Sequence, residues 1–135
     1  MDAMDWAVLV LRIALGVVFV AHGYPKLFTF GPRKTGEMFG RMGLPAPTLS
    51  ALLSGLAEFV GGLCLIIGLL TPLAAIVLAV NTAVALHVSR TRLNKPFLTS
   101  DRPGWDFDLT LVGMAVTLIL VGGGRLAVDR LLGFF

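Results

Sequence analysis

Residues 52–70 read LLSGLAEFVGGLCLIIGLL and decide the fold of this chain. A helix of this length can cross a bilayer, since about 30 Å of hydrocarbon takes about 20 residues. One ionisable side chain, Glu58, stands near the middle with apolar or small residues on both sides. A lone charged side chain at the bilayer centre costs at least about 2.5 kcal/mol. The stretch therefore predicts a membrane helix whose acid has a partner inside the protein.

The composition of the whole chain predicts an integral membrane protein. Hydrophobic residues make up 56% of the 135 residues and charged residues 14%, whereas soluble domains are about half apolar and about a quarter charged. Mean hydropathy is +0.88, and we expect a single domain over residues 1–135. The net charge of +3 fits basic loops beside an anionic leaflet and requires no nucleic acid.

Four apolar stretches predict an all-α fold, a four-transmembrane-helix bundle. The predicted spans are residues 6–22, 48–70, 72–89 and 106–123. The second and third spans meet at a tight turn, because Pro72 is tolerated in the first turn of a helix. Between the first and second helices, residues 35–42 predict an amphipathic segment that lies in the interface.

Basic side chains predict how the bundle is oriented. The two long loops contain eight of them: Lys26, Arg33, Lys34, Arg41, Arg90, Arg92, Lys95 and Arg102. Only Arg125 and Arg130 lie near the opposite ends of the spans. The positive-inside rule therefore predicts a multi-pass protein of the cell membrane, with the long loops in the cytoplasm and both termini outside.

Arg12 is the predicted partner of Glu58. Arg12 lies ten residues from His22 and Glu58 lies ten residues from Thr48, or about 15 Å from the same side of the membrane in each case. Asn81 is predicted within about one turn of that layer. Opposite charges at one depth relieve each other's desolvation. Two interpretations stay open: the pair only registers two helices, or it belongs to a functional site.

Small residues accompany both charges. The residues three and four positions from Glu58 are all small: Ser54, Gly55, Gly61 and Gly62. Gly16 and Gly23 form a similar stripe with Arg12 on the first span. Because small residues let helix backbones approach closely in lipid, both stripes are predicted to face the interior of the bundle.

A second polar layer is predicted nearer the basic loops. His22 and His87 end two of the spans there, Lys26 lies just outside, and Asp106 and Asp108 begin the fourth span. Such a set could form a proton relay, a quinone headgroup site or a metal site, and it could equally consist of ordinary interfacial side chains. No HxxH or HxxxH spacing is present, which argues against haem or a metal ion. Quinone or proton chemistry is the better functional interpretation.

Five motifs follow one another through the chain. They are RIALGVVFVAHGYPKL at 12–27, MGLPAP at 42–47, EFVGG at 58–62, GLLT at 68–71 and GGGRLAVD at 122–129. Their order and spacing resemble the DoxX family of small bacterial and archaeal membrane proteins. The resemblance implies a four-helix bundle in a bacterial plasma membrane and a redox-associated subunit. Relatives include subunits of a thiosulfate:quinone oxidoreductase and members linked to oxidative stress and thiols. The family motif positions on this chain are Arg12, His22, Lys26, Glu58, His87 and Asp129.

The leading hypothesis is a DoxX-like membrane subunit of a redox system, and the sequence leaves open whether the chain is itself an enzyme. The predicted catalytic residues are Glu58 and Arg12, and the predicted ligand-binding residues are His22, Lys26, His87, Asn81 and Asp108. Quinone is the candidate cofactor, and a soluble or membrane oxidoreductase is the candidate partner beside the lipid bilayer. One alternative is a non-enzymatic scaffold that recruits a soluble partner through the long loops. Another is a small-solute or proton pathway, which would need a homo-oligomer because four helices enclose little room.

Overall fold

The fold consists of six α-helices and one π-helical turn, without β-strands. The computed structural model describes residues 1–135. Its elements are α1 (Ala3–Tyr24), the π turn (Pro25–Thr29), α2 (Gly31–Arg41), α3 (Pro47–Ile67), α4 (Thr71–Thr91), α5 (Trp105–Val121) and α6 (Val128–Leu132). The all-α prediction is confirmed. One end of the bundle, here called the terminal end, carries both termini, and the other, here called the loop end, carries the two long connections.

Three helical segments are long and apolar enough to cross a membrane. They are Ala3–Thr29, in which the π turn continues α1, then α3 and α4. Helix α5 has 17 residues, slightly fewer than the about 20 that a perpendicular crossing takes. A fourth crossing by α5 therefore stays a prediction. Helix α2 coincides with most of the segment predicted as amphipathic.

Helix α1 and the π turn form one continuous helical segment, Ala3–Thr29, here called the first rod, and it is longer than predicted. It was expected to end at His22, but α1 continues to Tyr24 and passes directly into the π turn. Pro25 has no backbone N–H, yet the chain keeps winding there because the N–H of Phe30 donates to the carbonyl of Pro25 at 2.9 Å, an i to i+5 hydrogen bond of the π type. The residues that follow His22, including Lys26, therefore still belong to this helical segment and not to a loop.

Glycine pairs set the register between α1 and α3. A Cβ atom on Gly16 would lie 2.6 Å from the carbonyl oxygen of Gly62, and one on Gly23 would lie 2.9 Å from that of Gly55. The two glycines on each helix are seven residues apart, about two turns, so both contacts fall on one face. The backbones can touch there only because these side chains are absent.

The terminal end is closed by the segment after α5. Gly68 ends α3 in the left-handed conformation, with φ of 75°, and Asp129 of α6 reaches the start of α4. Its carboxylate accepts hydrogen bonds from the backbone N–H groups of Leu70 and Thr71. Because the first N–H groups of a helix lack intrahelical partners, this acid caps α4 and stabilises its positive end.

Apolar side chains fill the middle of the bundle. Leu15 of α1, Leu65 of α3, Leu78 of α4 and Leu118 of α5 are fully buried in one cluster. Many other large apolar side chains are exposed on the outer faces of the helices. Such faces suit lipid, because acyl chains are as apolar as the side chains that contact them.

Candidate functional site

Glu58 lies at the centre of a polar network near the loop end. The ammonium of Lys26 donates to Oε2 of Glu58 at 2.8 Å and to Oγ of Ser54 at 3.1 Å. From α4, Nδ2 of Asn81 donates to Oε1 of Glu58 at 3.0 Å. Both carboxylate oxygens therefore have a donor, and the charge has a counter-ion. We call these four residues the Glu58 network.

The π turn and two glycines bring Lys26 to this place. Gly23 lets the end of α1 lie against α3, where a Cβ atom would come within 2.5 Å of the backbone nitrogen of Phe59. One turn along α3 from Glu58, Gly55 leaves room for the Lys26 stem, whose Cβ lies 3.2 Å from the position a Gly55 Cβ would take. The lysine can thus extend alongside α3 and place its ammonium between Ser54 and Glu58.

The predicted pair of Arg12 and Glu58 is wrong. Arg12 lies against Gly68, which is ten residues from Glu58, or about 15 Å along a helix. The two charges were assigned equal depth by counting from His22 and Thr48. In the structure Glu58 is level with the end of α1, where Gly23 lies against Glu58 and Phe59, and not with Arg12.

Arg12 belongs instead to a buried cluster at the terminal end. Its side chain is fully buried, its Nη2 donates to the carbonyl of Leu126 at 2.8 Å, and Asp129 is the acid whose charge acts on it. Nε and Nη1 of Arg12 and Oγ1 of Thr71 are buried without a hydrogen-bond partner in the protein. Arg12 therefore contacts Gly68 at the end of α3 and Leu126 in the segment before α6, far from the Glu58 network.

The two histidines and Asp108 do not join the network. Nδ1 of His22 is 2.8 Å from the carbonyl oxygen of Val18, one turn back on its own helix, and its ring lies 5.5 Å from that of Phe107. His87 is exposed. Asp108 accepts a hydrogen bond from Oγ of Ser89 at 2.7 Å. These contacts are separate from one another, so the second predicted layer is not a connected site.

Of the predicted site residues, the structure brings together Glu58, Lys26 and Asn81. Sequence reasoning placed Ser54 in the small stripe but missed its hydrogen bond to Lys26. The paired glycine spacings, 16 with 23 and 55 with 62, were the available signal: antiparallel matching of the two pairs places Glu58 beside Val20, eight residues from Arg12 and six from Lys26. No group of three His, Cys, Asp or Glu side chains comes close enough to hold a metal ion.

An aromatic patch flanks the Glu58 network. The rings of Tyr24, Phe28 and Phe59 pack on one another, with centroids 5.0 Å apart between Tyr24 and Phe28 and 5.3 Å apart between Phe28 and Phe59. Tyr24 and Phe28 are more than half exposed. Because Phe59 directly follows Glu58 and Phe28 lies two residues from Lys26, apolar surface and buried charge adjoin each other here.

The network can donate hydrogen bonds and hold a proton. Two of the three Lys26 N–H bonds are directed at Ser54 and Glu58, which leaves one for a ligand. The Lys26 side chain keeps 23% of its exposure and that of Glu58 8%. Lys26 is therefore more accessible to a ligand than the Glu58 carboxylate that it contacts.

Comparison with known proteins gives a consistent family assignment. The DoxX family model matches residues 7–90. "Uncharacterized membrane protein Rv3486" of Mycobacterium tuberculosis is 31% identical over 131 residues, which cover 92% of this chain and 80% of that protein. "Putative oxidoreductase CatD" of Bacillus subtilis is 30% identical over 121 residues, covering 90% and 83%. "Inner membrane protein YqjF" of Escherichia coli is 30% identical over 132 residues, covering 95% and 93%. No solved structure matches the chain.

Proposed function

Because the chain belongs to the DoxX family of membrane proteins, we propose that it is the membrane subunit of a redox system and that the Glu58 network binds the carbonyl headgroup of a quinone. The observation that carries the proposal is the partly exposed ion pair of Lys26 and Glu58, 2.8 Å apart. An ionisable side chain within a membrane helix, such as Glu58, is by default a functional candidate.

Hydrogen bonding fits a quinone headgroup. Quinone carbonyl oxygens only accept hydrogen bonds, and the free N–H of Lys26 and the second amide N–H of Asn81 are donors. Both groups are already oriented by Glu58, which accepts from each of them. Because their hydrogen bonds to Glu58 already hold both donors in place, the protein loses little conformational entropy when a ligand oxygen binds them.

The Glu58 network could also take part in the proton transfer that quinone reduction requires. Reduction of a quinone to a hydroquinone consumes two electrons and two protons, and the electrons would come from a partner oxidoreductase. Lys26 would donate one proton to the carbonyl oxygen it contacts and would be reprotonated from solvent. The second proton would reach the other carbonyl oxygen from solvent. Glu58, in direct hydrogen bond with Lys26, would stabilise the ammonium form of Lys26. The exposed side of Lys26 provides the path to solvent at the loop end.

The aromatic patch supplies an apolar approach. Tyr24 and Phe28 are 51% and 60% exposed on a surface suited to lipid. A quinone ring that arrives through the bilayer would contact these rings before its carbonyl reaches Lys26, and aromatic stacking contributes about 0.5–1.5 kcal/mol per ring pair. The name of the B. subtilis relative, which includes the word oxidoreductase, is consistent with such a role.

Binding of a quinone analogue to the purified protein tests this proposal. Glu58→Gln and Lys26→Met should each weaken binding about tenfold, since a hydrogen bond to a charged group contributes about 1.5–3 kcal/mol. Lys34→Met removes a cation of α2 that lies over the Phe30 ring and forms no hydrogen bond with the network, and it should leave binding unchanged. His87→Ala should also have no effect, because His87 lies outside the network. Equal affinity of the wild type and both network variants would refute the site.

A scaffold function is the second candidate, favoured by an ordered loop. The Trp105 ring lies 4.6 Å from Phe97 and 4.9 Å from the guanidinium carbon of Arg90, so the connection between α4 and α5 has a defined shape with basic side chains on it. A partner recruited there would be recovered with the wild type and with Glu58→Gln, and lost when Arg90, Arg92 and Arg102 are replaced by Gln.

A further inference from the structure

A cavity of about 310 Å³ opens at the terminal end. It lies between the first turns of α1 and the segment that follows α5, and we call it the terminal cavity. Arg125 and Arg130 line it together with Asp5 and Asp129. This cavity is at the opposite end of the bundle from the Glu58 network, so the two sites are physically separate.

Both acids of the terminal cavity are already engaged. Asp5 accepts hydrogen bonds from the backbone N–H groups of Asp2 at 3.1 Å and Arg125 at 3.2 Å. Asp129 accepts from two N–H groups at the start of α4, and its charge is offset by the fully buried Arg12. The charge of Asp5 also attracts Arg125, but the two side chains form no salt bridge, so the guanidinium groups of both exposed arginines keep their hydrogen-bond donors for a ligand.

The guanidinium groups of the two arginines have unused hydrogen-bond donors. The side chains of Arg125 and Arg130 take part in no hydrogen bond, and the pair of Lys26 and Glu58 is the only salt bridge. The backbone N–H groups of Gly123 and Gly124, which also line the cavity, take part in no backbone hydrogen bond. Two guanidinium groups and two free amides at one cavity form an arrangement of donors suited to a tetrahedral oxyanion.

The remaining wall of the terminal cavity is apolar. Met4, Val121 and Phe135 line it and are exposed on their outer sides. An arginine-lined cavity bordered by apolar side chains, where membrane helices end, matches a phosphate that carries an acyl-chain tail. A free phosphate would use the same donors without the apolar wall.

We propose that the terminal cavity binds a phosphate group, held by the guanidinium groups of Arg125 and Arg130 and the amides of Gly123 and Gly124. The apolar wall favours the phosphate of an anionic phospholipid. The inference does not depend on the redox function, since no residue of the Glu58 network takes part.

Native mass spectrometry of the delipidated full chain in detergent tests the proposal. Phosphatidylglycerol should bind about tenfold more tightly than diacylglycerol, which has the same tails and no phosphate. The Arg125→Gln/Arg130→Gln variant should lose this difference. The Arg33→Gln/Lys34→Gln variant removes the same charge from α2 and should retain it. Competition by inorganic phosphate at a concentration equal to that of the lipid identifies a soluble ligand, and failure to compete at that concentration identifies the lipid.

A milder variant keeps the test valid if the double variant does not fold. Arg130→Lys keeps the charge but loses the planar fork, so the preference for phosphatidylglycerol should fall only in part. The proposal is overturned if folded Arg125→Gln/Arg130→Gln binds phosphatidylglycerol as the wild type does, or if diacylglycerol binds the wild type equally well.

Discussion

Lys26 and Glu58 form the only salt bridge of the protein, with 2.8 Å between Nζ and Oε2. The two residues are 32 positions apart in the chain, one in the π turn after α1 and the other inside α3. A charge within a membrane helix is thus compensated by a lysine that enters from the end of the bundle. Stability and proposed chemistry both depend on this contact.

Removal of Lys26 should destabilise the protein more than removal of both partners. Lys26→Met leaves the Glu58 carboxylate without a counter-ion, and we expect a loss of about 2–3 kcal/mol, since a fully buried pair would lose more than a partly exposed one. Lys26→Met/Glu58→Gln should recover much of the loss. Thermal unfolding in detergent measures both, and a double variant as unstable as the sum of the single variants would contradict the pairing.

Arg12 and Glu58 should be energetically independent. The register places them about 15 Å apart, and well-separated sites add within about 0.5 kcal/mol. We expect Arg12→Met and Glu58→Gln to be additive in a double-mutant cycle of unfolding free energies. Arg12→Met should also leave quinone-analogue binding unchanged. A coupling energy well above that limit would place Arg12 back beside the acid.

Glycine substitutions should distinguish the α1–α3 contact from open surface. Gly16→Ala directs a methyl group at the carbonyl of Gly62, 2.6 Å away, so we expect a loss of about 1–3 kcal/mol from overpacking. Gly113→Ala is the matched control, because nothing lies within 4 Å of its added Cβ. That variant should gain up to about 1 kcal/mol from helix propensity. Equal unfolding temperatures for the two variants would contradict the register.

Loss of Asp129 should loosen the start of α4. Asp129→Ala removes the acceptor for two backbone N–H groups and the acid that acts on Arg12. We expect a loss of at least about 2 kcal/mol, more than a helix cap alone contributes. Hydrogen exchange should rise at Leu70 and Thr71. Asp101→Ala changes an exposed loop acid that accepts only from Thr99, and its effect should stay within about 0.5 kcal/mol.

Local sequence patterns were sufficient to predict the long helices. Apolar runs around Leu15, Leu65 and Leu78 predict helical segments without any knowledge of their neighbours, because backbone groups in lipid must be satisfied within the helix itself. The same reasoning predicted that Glu58 needs a buried partner. It also identified Lys26 and Asn81 as site residues, although it did not connect them to Glu58 in one network.

The choice of partner was decided by tertiary structure. Arg12 and Lys26 are both cations of the first rod, and only the register of α1 along α3 determines which of them contacts Glu58. That register depends on where the first rod ends and on the contact of Gly23 with Gly55, since backbone approach at small residues sets helix register in lipid. The sequence by itself determined that the acid would be neutralised inside a helical membrane protein. Packing decided which cation does so, because a shift of α1 along α3 exchanges one candidate for another without changing any local pattern.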